Sequence, residues 1–153
     1  MIRVAGALEE RIKADTVVAL KAGDKQRTQA LRLLTAALKK ERIDAGKQPS
    51  EAEELAVLRR EHKRRLEAAE VYHQGGREDL AEQEKYEVEL LAAFMPAELS
   101  PEALQAIVDE AIAQTGAASP KEMGKVMGIV RGKVAGRADG GAVNALVRAR
   151  LGG

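Results

Sequence analysis

The residues whose types and spacing could do chemistry lie between Lys121 and Gly141, in the run KEMGKVMGIVRGKVAGRADGG. Gly124, Gly128, Gly132, Gly136 and Gly140 fall at every fourth position, among Lys121, Lys125, Arg131, Lys133 and Arg137. Glycine beside cations serves two chemistries: a backbone cradle for phosphate, and close docking of another body against bare backbone. The phosphate loop fails on its own pattern. A Walker motif places Ser or Thr directly after its Gly-Lys, and here Gly124-Lys125 is followed by Val126. No strand pattern precedes the run, so a dinucleotide-binding turn is excluded as well. Met123, Val126, Met127, Val130 and Val134 are spaced i, i+3, i+4, i+7 and i+11, which predicts a helix. Each glycine inside that helix costs about 1 kcal/mol against alanine. Two readings offset this cost: tight helix–helix packing, or close approach of a ligand. They are compatible, since a tight core can present a basic rim.

The rest of the chain offers little chemistry. There is no cysteine, which removes disulfides, thiol nucleophiles and cysteine metal sites and fits a cytoplasmic protein. No Gly-x-Ser-x-Gly elbow occurs. His62 and His73 are eleven residues apart on one expected helix. Glu70-x-x-His73 resembles half of a di-metal bundle motif, but no second Glu-x-x-His accompanies it. No metal, cofactor or catalytic residue is therefore expected. Formal net charge is +1, so any basic surface must be local. From Ser119 onward seven cations face only two anions, Glu122 and Asp139. Two other basic runs have alternative readings. Lys39, Lys40 and Arg42 sit where cations oppose a helix dipole or could contact phosphate. Arg59, Arg60, Lys63, Arg64 and Arg65 form either a solvated, ion-paired face or a nucleic-acid stripe.

Helices must position these groups. Aromatics are scarce, with one Phe, two Tyr and no Trp, so the core must be aliphatic. Ala, Leu, Glu, Lys and Arg dominate, which favours helix. The pattern predicts helices over Ala5–Lys21, Lys25–Ala45, a stretch from the Ser50-x-x-Glu53 capping box to Gln74, and Arg77–Phe94. Gly23, Gly46 and Gly75-Gly76 separate them. The inward residues expected are Leu8, Ile12, Val18 and Ala19; Ala30, Leu31, Leu33, Leu34, Ala37 and Leu38; Leu55, Leu58, Leu66 and Ala69; and Leu80, Val88, Leu91 and Ala92. After Met95-Pro96 helices shorten and glycines multiply. Ser100-Pro101 and Ser119-Pro120 read as N-caps followed by proline, Gly116 and Gly136 as stops, and Asp139 as the cap of a last helix carrying Val143, Leu146, Val147 and Leu151. The fold class is all-α. Residues 1–95 form long antiparallel helices and 96–153 a small helical bundle. The longest apolar runs are a few residues, so no membrane span is expected, and the N-terminus has no secretory-signal pattern.

At this point a resemblance can be placed on named residues. Phe94-Met95-Pro96, Leu99-Ser100, Ile107-Val108, the block from Glu122 to Gly128 and the block from Gly136 to Gly140 resemble the YqeY-like proteins. Arg32-Leu33-Leu34 and Glu53-Glu54 extend the likeness over nearly the whole chain. Glu122 stands where the family usually has aspartate. The family is similar to the C-terminal tail of the B subunit of tRNA-dependent amidotransferase, which contacts tRNA while the chemistry lies in other domains. The resemblance implies two helical subdomains and a non-catalytic, tRNA-linked accessory role. On that reading Lys121, Lys125, Arg131, Lys133 and Arg137 meet phosphate, and Gly124, Gly128, Gly136 and Gly140 allow close approach. The scarcity of aromatics argues against stacking of single-stranded bases. One alternative is a docking module for an amidotransferase or aminoacyl-tRNA synthetase, with Met123 and Met127 as an adaptable surface. Another is participation in glutamine-dependent amidotransfer with partner subunits.

Overall fold

Seven α-helices and one 3₁₀ turn, with no strand, make up the regular structure of residues 6–153, those described by the computed structural model. The expected helix start at Ala5 lies outside the described residues. The chain divides into two compact units between Met95 and Pro96.

The first unit is two helical hairpins: α1 (Ala7–Lys21) with α2 (Lys25–Ala45), and α3 (Glu51–Gln74) with α4 (Glu78–Ala92). Local signals set the boundaries. Asp24 accepts the Arg27 N–H at 3.0 Å, and Gly46 ends α2 at φ 67°. Ser50 and Glu53 form the reciprocal capping box. Leu8, Ile12, Leu31, Leu34, Leu38, Leu55, Leu58 and Leu91 form an aliphatic core, with Phe94 as its one aromatic ring fully inside. The Arg11 guanidinium lies 4.9 Å over that ring. Four residues expected inside are exposed: Val18, Leu33, Leu66 and Ala92. In each case the chain neighbour holds the inward direction, and one residue along a helix is a turn of about 100°. Ala19, Leu34 and Leu91 are the buried neighbours of Val18, Leu33 and Ala92. Beside Leu66 the inward direction belongs to Arg65, whose side chain is 12% exposed.

That arginine centres an ionic cluster the apolar pattern does not reveal. Arg65 bonds Glu61 at 2.7 Å and the buried Glu87 at 3.3 Å. A second hidden carboxylate, Glu54, is 1% exposed. Its two oxygens accept the N–H groups of Gly6 at 3.2 Å and Glu9 at 3.0 Å. It thus satisfies free amides at the start of α1 from a different helix, a role α1 cannot fill itself because its N-cap is Gly6. Burial pushes the Glu54 carboxyl up from its ordinary 4.5, against the lowering effect of these backbone hydrogen bonds. A folded-state pKa raised in this way favours the folded state most below pH 4.5, and that contribution is lost as pH rises through the raised value. Glu54→Gln keeps an acceptor and removes the titration. Its denaturant midpoint should therefore vary less between pH 4 and pH 7 than that of the unaltered chain.

In the second unit, α5 (Pro101–Thr115), α6 (Met123–Val134) and α7 (Gly140–Arg150) surround a core of Val108, Val126, Val130, Val134, Val143 and Val147. Ser100 accepts the Ala103 N–H at 3.1 Å and Asp139 the Ala142 N–H at 3.0 Å. The expected cap at Ser119 is absent, since its side chain makes no capping bond. A 3₁₀ turn, Pro120–Glu122, stands there instead, and Glu122 reaches back to accept the Ala118 N–H at 2.7 Å. This delays α6 to Met123. At its other end α6 closes through two left-handed residues, Ala135 at φ 47° and Gly136 at φ 77°. Alanine is costly there. Ala135→Gly should raise stability by about 0.5–1 kcal/mol, the gain being reduced by glycine's freer unfolded chain; urea unfolding measures it. Among the described residues no helix is long and apolar enough to cross a membrane.

Candidate nucleic-acid interface

The glycine run folds as the period predicts, and its two sides differ sharply. Val126, Met127, Val130 and Val134 are buried. Gly124, Gly128 and Gly132 occupy the opposite side, within an arc of about 80°. All three are exposed. A Cβ added at any of them meets no atom within 4 Å. Packing within the unit therefore does not account for these glycines, and that reading of the spacing is set aside for them. The face they form is open helical backbone.

The other two candidate glycines have different settings. Gly136 has a left-handed backbone, φ 77°, so the closing turn of α6 already calls for glycine. Gly140 opens α7 directly after the Asp139 cap, with open space beside it.

The five candidate cations separate into two groups. Lys133 reaches Glu110 on α5 at 3.3 Å. Arg137 donates to the carbonyls of Val134 at 3.1 Å and Lys133 at 2.7 Å, so it caps the C-terminus of α6. Both have structural tasks. Lys121, Lys125 and Arg131 are exposed, and none forms an ion pair or side-chain hydrogen bond among the described residues. By helical register, Lys125 borders the glycine arc on one side and Arg131 on the other. Lys121 lies on the 3₁₀ turn just before α6. Lys121 and Lys125 are at the N-terminal end of α6, where the dipole disfavours cations. Their position is not explained by the helix. An anion brought to that end would meet two ammonium groups and the positive end of the dipole together.

Glu122 is the one carboxylate within this group. Its hydrogen bond to the Ala118 amide, ahead of the Lys125 charge, holds its pKa below the usual value. It is committed to the turn. Sequence reasoning counted Arg148 in the basic surplus without placing it at the site. The C-terminal Gly153 lies close both to the Arg148 stem and to Pro120 of the 3₁₀ turn carrying Lys121. Arg150 is instead drawn to Asp109 at 3.7 Å. The signal in the sequence was the surplus itself; only the fold sorts paired from unpaired cations. Met123 and Met127, the expected adaptable surface, are core: Met127 is 7% exposed and Met123 packs against the same cluster.

In the first unit the run over 59–65 follows the ion-paired reading, and of the cluster Lys39, Lys40 and Arg42 the last two are also held by acids. Lys40 bonds Asp44 at 2.7 Å, Arg42 approaches Glu9 at 3.4 Å, Arg60 Glu41 at 3.5 Å and Arg64 Glu61 at 3.4 Å. His73 hydrogen-bonds Glu78, and Glu70 accepts from Gln74. Among the described residues no three His, Asp or Glu side chains group as metal ligands.

No curated protein matches the sequence. A family model described as Yqey-like protein matches residues 9–151. On this match over nearly its whole length, the chain belongs to the Yqey-like protein family.

Proposed function

We propose that the protein is a non-catalytic RNA-binding accessory module of the cytoplasm, with tRNA as its ligand. The second unit makes the contact through the open face of α6. One observation carries this reading: three exposed glycines on a helix face that no described residue of the second unit occupies, bordered by unpaired Lys125 and Arg131. Glycines there cost helix stability with no return from packing within the second unit. A body that approaches the backbone closely returns it. Double-helical RNA suits this surface, because it is read through shape and phosphate rather than through base edges. The resemblance to the tail of an amidotransferase subunit selects tRNA. It also links the protein to amidotransfer, in which partner subunits would supply the chemistry. The chain alone should release no ammonia from glutamine.

Fluorescence anisotropy with tRNA across a salt series tests the proposal. Lys121, Lys125 and Arg131 as three phosphate contacts predict a log–log slope of about −2 to −3. Replacing all three by alanine should flatten it, whereas Lys133→Ala should leave it nearly unchanged. Absence of binding at low salt, or equal binding by the triple variant, would remove the reading.

A further inference from the structure

The surface of the first unit is mostly ion-paired, yet one line of cations is left out of the pairing. The exposed cations there that form no ion pair or side-chain hydrogen bond among the described residues are Lys21, Lys25, Arg32, Lys39 and Lys63. Three of these, Lys25, Arg32 and Lys39, stand at i, i+7 and i+14 of α2. Successive members are about 10.5 Å apart along the axis, and the whole line drifts only about 40° round the helix. Gln29 and Ala36 occupy the same side between them, and both are exposed.

The carboxylates of α2 are kept away from this line. Glu41 and Asp44 lie at least about 100° round the helix from each of its members. They hold Arg60 and Lys40 instead. Lys25 and Arg32 also line a hollow of about 310 Å³ together with Gln29 and Asp24. That carboxylate is committed to the Arg27 amide, which donates to it at 3.0 Å. The side of α2 that carries the line is therefore of one sign, with room beside two of its three cations.

We propose that Lys25, Arg32 and Lys39 form a second phosphate-contact surface, on the first unit, for the RNA that the protein binds. The proposal rests on the RNA reading and adds a site to it. A small anion engages one end of a line about 21 Å long, whereas a phosphate backbone offers charge along all of it. Interfaces between proteins are depleted in lysine and centre on buried apolar anchors. Between Lys25 and Lys39 this line has no such anchor. The exposed Leu33 is about 100° round the helix from Arg32. Interfaces with nucleic acid are polar and strongly positive, as this one is.

Anisotropy of labelled tRNA with the full chain across a salt series tests the proposal. The cations beside α6 account for about −2 to −3 of the log–log slope, and three further contacts bring the unaltered chain to about −4 to −5. Lys25→Ala, Arg32→Ala, Lys39→Ala should return the slope to about −2 to −3 and weaken binding at low salt at least about tenfold, with helical circular dichroism unchanged. The variant lacking Lys121, Lys125 and Arg131 should keep a slope of similar size, supplied by the line on α2. Lys13→Ala, Arg64→Ala, Lys85→Ala removes the same charge from exposed ion pairs and should change the slope by less than about one. An unchanged slope and affinity in the α2 variant overturns the proposal and leaves the α6 reading standing. A slope lost with the α2 variant and indifferent to the α6 variant keeps the line and removes the α6 reading. An equal loss in the ion-pair control traces the effect to net charge and overturns the proposal. So does poly-glutamate that competes as well as unlabelled tRNA, which would assign the line to an acidic protein.

Discussion

Replacing Gly124, Gly128 and Gly132 together by alanine should make the protein more stable, by about 2–3 kcal/mol. The direction is unusual for a triple substitution, and it follows from geometry. Each residue is in α6 with an ordinary helical backbone, and each added methyl points into open space. Nothing must move to admit it. The helix gains propensity at three positions, least at Gly124, which lies in the first turn and has fewer helical neighbours. Urea unfolding of the variant measures the sum. If the triple variant is less stable, an unseen constraint holds the glycines in place, and their cost is repaid inside the molecule after all.

Arg65→Met should produce the largest loss, about 3–5 kcal/mol. The substitution preserves much of the aliphatic stem and removes only the guanidinium. Glu87, 8% exposed, and Glu61 then face each other without their shared cation. A buried carboxylate left unpaired is far more costly than the pair was favourable. The double variant Arg65→Met, Glu87→Leu should recover part of the loss, because it removes the stranded charge. A surface pair offers the control: Arg64→Ala removes an exposed ion pair with Glu61 and should cost less than about 1 kcal/mol.

These expectations show which parts of the molecule were legible in the sequence. Caps and stops were: Asp24, Gly46, the Ser50–Glu53 box, Ser100 and Asp139 all act where short-range signals put them. Leu31, Leu34 and Leu38 face inward as their spacing requires. Three of the four errors, Val18, Leu33 and Ala92, lie where two apolar residues are adjacent. A period of 3.6 cannot decide between Leu33 and Leu34, and the neighbouring helix decides. Arg65 was read only as one of a basic surface run, and nothing in the pattern singled out Glu54 or Glu87, because only tertiary contact distinguishes a buried charge from a solvated one. At Ser119 a matching start signal was overruled by a 3₁₀ turn that uses Glu122 instead.

The candidate site divides in the same way. Glycine spacing and the local excess of cations were plain in the sequence. Which cations are available was not. Glu110 is far from Lys133 in sequence, and Arg137 turns back on its own helix. The five candidate cations thus reduce to Lys121, Lys125 and Arg131.

The open glycine face as an RNA contact is tested most directly by tRNA affinity of the Gly124→Ala, Gly128→Ala, Gly132→Ala variant, read by anisotropy at low salt. All charges are retained, so steering toward phosphate is intact and only close approach is obstructed. The account predicts a more stable protein that binds tRNA at least about tenfold more weakly, a loss of about 1.4 kcal/mol or more. A stabilised variant that binds tRNA as tightly as the unaltered chain would contradict it.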